Sequence, residues 1–181
     1  HHQWFQAALR EEAGARERYL FRAGRGADGE LPPNDWQSVF GGPAWSRLPD
    51  GHWYLHLFAP GQPDLNWEHP DVRREFEDVL AFWFAKGVDG FRIDVAHGLV
   101  KTDGLPDHLP PVDGDSMGGH DEATYWGQDG VHEIYRDWHR VLAEYDGDRA
   151  LCAEAWLPTV GRTAEWVRSD EMHQAFNFPY L

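Results

Sequence analysis

The stretch "GVDGFRIDV", residues 87–95, decides the fold. Gly87 is a turn residue, and an apolar, β-branched run follows it. Arg92 and Asp94 interrupt that run two residues apart, so a strand would place both on one face. The stretch just before it, "PDVRREFEDVLAFWFAKG", reads as a helix. It has Pro70 at the start, Asp71 in the first turn, Lys86 in the last and Gly87 as the stop. Val72, Phe76, Val79, Leu80 and Trp83 are expected on its apolar face. Downstream, "VHEIYRDWHRVLAEY" (131–145) is a second helix by the same periodicity. "ALCAEAW" (150–156) is a second short strand, "TAEWVRSDEM" (163–172) a third helix, and "HQAFNFPYL" (173–181) a further strand. Helix, strand, helix, strand, helix is the pattern of a parallel α/β sheet or barrel.

Residues 4–68 do not share this rhythm. Residues 4–20 read as a helix weakened near Gly14. Residues 22–50 are irregular and rich in Gly, Pro, Asn and Trp, 52–58 form a strand, and "APGQPDLNWEHP" (59–70) forms a loop. The expected division is a loop-rich unit over 1–68 and an α/β unit over 69–181. The segment from about 98 to 127 is a long Pro/Gly/Asp-rich loop.

Composition bounds the function. The chain has 181 residues, is 41% hydrophobic and 26% charged, and has a net charge of −15, which argues against nucleic acid or an anionic membrane surface as partner. No apolar run is long enough to span a membrane. One cysteine, Cys152, cannot form an internal disulfide and is expected in a reducing, cytoplasmic setting as a small buried side chain. The eleven histidines show no metal-ligand spacing. The first residues, "HHQWFQ", and the last, "FNFPYL", suggest an internal piece of a longer chain.

Charged groups in mid-strand of a covered sheet are costly, whereas the carboxyl ends of parallel strands are where α/β folds build sites. Asp94 and Glu154 each follow an apolar run, so neighbouring strands would bring the two carboxylates to one rim. Arg92 would keep Asp94 ionised and oriented, beside a Glu154 that stays protonated, which is the pair glycoside hydrolysis requires. A structural ion pair closing a strand, with Glu154 a plain loop residue, is the alternative on these residues alone.

"GVDGFRIDVAHG", "LCAEAW" and "QPDLNW" (62–67) resemble, in order and spacing, signature regions of the α-amylase superfamily, glycoside hydrolase family 13. The wording, with "NDWQSVFGGPAW" and "AFNF", is closest to its α-glucosidase and oligo-1,6-glucosidase branch. The resemblance implies a (β/α)8 TIM barrel with a domain B inserted after the third strand. Residues 1–68 would be domain B, and 69–181 would run from about the third barrel helix to the sixth strand. It implies Asp94 as nucleophile, Glu154 as acid/base and Arg92 as the residue orienting Asp94. It also implies retention of anomeric configuration. His97, Val95, Phe40 and Trp156 are the candidate substrate contacts. Against these stand a solvated loop histidine for His97 and core packing for Phe40 and, more strongly, Trp156. Asp64 and Asn66 are expected to brace their loop.

The family's further aspartate, in an "HD" motif, and its Asn-His motif are expected outside this chain. The letters "HD" within "GGHDEA" (118–123) precede the acid/base strand and do not qualify. No cofactor is expected in this segment, and a structural calcium or magnesium of relatives would be held upstream. The implied function is that of a retaining α-glucosidase releasing terminal glucose from small oligosaccharides. The alternatives are an oligo-1,6-glucosidase or transglucosylase, or a silent homologue acting as an interaction subunit. The oligomeric state is not legible.

Overall fold

A computed structural model describes residues 2–108 and 125–180. The chain divides into two compact units. One comprises the residues up to Val72 together with Gly104–His108, and the other begins at Arg73.

The first unit opens with helix α1, Gln3–Leu9, started by the His2 ring accepting from the Trp4 N–H. The helix expected over 4–20 stops there because the chain turns left-handed at Glu11 and again at Gly14. It resumes only as a 3-10 turn, Ala15–Arg18. Three short strands, β1 (Phe21–Ala23), β2 (Trp45–Arg47) and β3 (His52–Leu55), form an antiparallel sheet in the order β1-β3-β2. Strand β2 and most of β1 lie in the stretch read as irregular. They are three residues long, too short to show alternation.

Phe5, Ala8, Ala15, Tyr19 and Tyr54 form the apolar centre of this unit. Around buried Asn34 a second knot is tied. Its Oδ1 accepts from Trp45 Nε1 (2.7 Å) and the Trp36 N–H (3.1 Å), and its Nδ2 donates to the Leu105 carbonyl (3.0 Å). Asp64 and Asn66 brace their loop. Asp64 accepts from the Leu57 N–H at 2.7 Å, and the Asn66 amide donates to the Glu17 carbonyl at 2.9 Å.

The second unit is α/β. Helix α2, Pro70–Ala85, leads through left-handed Gly87 into β4, Gly90–Ile93. Helix α3, Val131–Ala143, precedes β5, Ala150–Ala153. Helix α4, Val160–Trp166, precedes β6, Gln174–Ala175, followed by a 3-10 turn at Phe178–Tyr180. The three strands are parallel and ordered β4-β5-β6, with Arg92 opposite Cys152 and Cys152 opposite Gln174. Sequential parallel order with a helix in each described crossover is what the alternating pattern demands.

Helix α3 buries Val131, Ile134, Tyr135, Trp138 and Leu142, as its spacing predicts. Helix α2 departs from expectation. Val72, Leu80 and Phe84 are buried, while Val79 and Trp83 are exposed. The covered stripe follows one row of residues four apart and is narrower than the apolar set. Strand β4 is also less covered than expected, with Arg92 exposed. The third helix starts three residues before the expected Thr163, because Thr159 caps it by accepting from the Arg162 N–H.

Candidate active site

Strands β4 and β5 end together. The Glu154 N–H donates to the Ile93 carbonyl and the Glu154 carbonyl accepts from the Ala96 N–H, each at 2.9 Å. The residues after both strands therefore share one rim. There the Arg92 Nη2 lies 2.9 Å from Asp94 Oδ1 and 2.7 Å from Glu154 Oε2. Arg92 was expected to serve Asp94; it contacts both carboxylates, and Glu154 more closely. Asp94 is the open member, its side chain 70% exposed, whereas that of Glu154 is 18% exposed.

The chain between them is bent sharply. Val95 has φ +48° and ψ +44°, the left-handed region, and its N–H lies 3.4 Å from Glu154 Oε2. His97 is not a solvated loop residue. It is 2% exposed, and its ring stacks on Trp126 at 4.8 Å. Trp156 is not a core residue: it is exposed and lies flat on Phe178, ring centres 3.7 Å apart. The Arg92 guanidinium sits over the Phe176 ring at 5.7 Å. Phe40 belongs to the first unit, where it is 70% exposed and meets Phe58 edge-on, so it is not a core phenylalanine. Residues 118–123, with their "HD" letters, lie outside the described residues.

Phe176 and Phe178 have no assigned role in the sequence reading, although they sit two apart in "AFNF", the period that places both on one side of an extended chain. Cys152 is half-buried on β5, and burial pushes its thiol up against the opposing pull of Arg92, so it is a poor thiolate source.

Glu171 left no signal at all. Its carboxylate is fully buried and held by His132 Nδ1 (2.6 Å) and Arg136 (2.9 Å). Asp129, His132 and Glu165 bring one donor atom each within 4.8 Å of one another. The two carboxylates of that group already pair with Arg162.

Comparisons with known proteins identify the family. The alpha amylase catalytic domain family matches residues 1–181, and the chain belongs to that family. It is 42% identical over 137 residues to the trehalose-6-phosphate hydrolase of Escherichia coli (strain K12), covering 75% of this chain and 24% of that protein. It is 40% identical over 148 residues to the oligo-1,6-glucosidase of Parageobacillus thermoglucosidasius, covering 80% and 25%. Among solved structures, the trehalose-6-phosphate hydrolase of Bacillus licheniformis superposes with a TM-score of 0.82 at 32% identity, over 98% of this chain and 31% of that one. The trehalulose synthase MutB of Pseudomonas mesoacidophila MX-45 gives 0.82 at 31% identity, over 97% and 31%. The chain thus spans about a quarter to a third of the length of these relatives. Among the described residues, no helix is long and apolar enough to cross a membrane.

Proposed function

We propose that the chain is the central part of a retaining α-glucosidase that releases terminal glucose from short α-glucosides. On this reading residues 1–68 are the inserted domain B, and 69–181 are the middle of a (β/α)8 barrel in a cytoplasmic enzyme. Asp94 attacks the anomeric carbon while Glu154 protonates the departing oxygen, leaving a β-glucosyl ester on Asp94. Glu154 then takes a proton from water, which attacks the ester and frees the sugar with its original configuration. The Arg92 contact uses Glu154 Oε2 and leaves Oε1 to carry the proton.

The observation that supports this best is the shared arginine nitrogen. Contacts of 2.9 and 2.7 Å to one atom limit the two carboxylate oxygens to about 5.6 Å apart. Two carboxylates drawn together on one nitrogen support the closely spaced pair, about 5–5.5 Å between carboxyl groups, that retaining enzymes use.

The test is covalent labelling of the full-length protein with an activated fluoroglucoside of α configuration, followed by peptide mass spectrometry. The label is expected on Asp94. Asp94→Ala should abolish turnover. Glu154→Gln should slow cleavage of poor leaving groups by about 100-fold or more yet keep formation of the ester from activated ones. An unlabelled protein that still binds sugar would instead be a silent homologue. Rates on maltose, isomaltose and trehalose 6-phosphate, and the ratio of free glucose to transferred glucose, separate the specificities borne by the relatives.

A further inference from the structure

The two backbone hydrogen bonds of Glu154, to Ile93 and from Ala96, straddle the Asp94–Val95 pair. The placement of one carboxylate against the other is therefore governed by the torsions of two residues. One of these, Val95, is left-handed. For a β-branched side chain that region is a true outlier, and it persists only where the surroundings impose it.

The surroundings are identifiable. The hydroxyl of fully buried Tyr135, on α3, donates to the Ala96 carbonyl. The Gly127 N–H donates to the His97 carbonyl at 2.8 Å, beside the stack of Trp126 on the His97 ring. Arg162, on α4, donates to the Gly127 carbonyl at 2.8 Å and pairs with Asp129 at 2.9 Å. The helix following the strand of Glu154 thus holds the loop that holds the chain after Asp94.

We propose that Tyr135 and Arg162 are positioning residues: through the backbone of Ala96, His97 and Gly127 they keep Val95 left-handed and so fix Asp94 relative to Glu154. This rests on the glucosidase reading for its kinetic consequence, but the conformational claim stands by itself.

The test uses Tyr135→Phe and Arg162→Met in the full-length protein, each alone and in a Val95→Gly background. Alkyl and dinitrophenyl α-glucosides serve as substrates with poor and activated leaving groups. Each single variant is expected to lower kcat by about tenfold on the alkyl substrate, less on the dinitrophenyl one, with KM little changed. Glycine occupies the left-handed region without penalty. In the Val95→Gly background the same substitutions should therefore cost about twofold or less. Equal losses in both backgrounds, or unchanged kcat in the singles, would overturn the proposal.

Arg162→Met carries the test if Tyr135→Phe does not fold. A crystal structure of either variant with Val95 still at positive φ would also overturn it, whatever the activity. A wild-type protein inactive on every α-glucoside would sink the glucosidase reading alone, and the torsion of Val95 in the variants would still decide this one.

Discussion

Arg92 reaches two acids through one nitrogen, and that single contact point has a measurable consequence. Substituting it by methionine leaves two carboxylates within a few ångströms of each other with no cation between them. Like charges so placed repel, and both side chains lose their fixed direction. Arg92→Met is therefore expected to reduce kcat/KM by about 100-fold on poor and activated substrates alike, because formation of the ester from either depends on an oriented Asp94. A loss confined to poor leaving groups would mean that the arginine serves Glu154 alone. The pairing of Arg92 with Asp94 was legible, since the two-residue period of a strand puts them on one side. The approach of Glu154 followed from its equivalent place on the next strand. That the guanidinium would cross to it was not legible, nor was the left-handed valine, because no local pattern encodes a torsion imposed by a distant hydroxyl.

Strand β5 is pinned to the segment leading into β6 by His173. Its backbone N–H donates to the Leu151 carbonyl at 2.9 Å, and its Nδ1 accepts from the Leu151 N–H at 3.2 Å. Burial, with the stacked His139 ring 5.2 Å away, holds the imidazole of His173 below its usual range. The unfolded chain then binds the proton more readily than the folded one, so stability rises with pH across that interval. The contribution is complete above about pH 6.5 and is lost as pH falls from there toward the depressed folded value. Urea midpoints measured between pH 7.5 and 5.5 should drop in the wild type, and the slope should flatten in His173→Gln. Elements of this kind were partly readable. The periodicity of α3 predicted its buried face well because that helix carries polar residues between its apolar ones. The face of α2 was misjudged because Val79, Phe82 and Trp83 make it apolar over more of its circumference than the protein covers. The Gly14 break was visible as a weakness, but only the left-handed turn at Glu11, which is a poor residue for it, made it a stop.

Across the whole chain, the two units are not simply consecutive. Gly104–His108 returns to the first unit, and nothing in its sequence, "GLPDH", announces that return. It is tied there by backbone and side-chain bonds, including Leu105 to Asn34 and the Pro106 carbonyl to Trp36 Nε1 at 2.8 Å. Asn34→Ala would strand the Trp45 indole, the Trp36 amide and the Leu105 carbonyl, each costing about 1–3 kcal/mol where buried. Hydrogen exchange should quicken at 104–108 in that variant while β4 and β5 keep their protection. Uniform loss would mean the knot supports more than its own unit.

The backbone bonds that join the rim at Glu154 use its peptide group, while its side chain adds contacts to Arg92 and to the Val95 N–H. A lineage that replaced the carboxylate with another functional group would therefore keep the register of the two strands at the rim while losing those two contacts. Such a scaffold keeps its strand ends together through a single substitution, so the shape of the rim outlasts the chemistry performed on it.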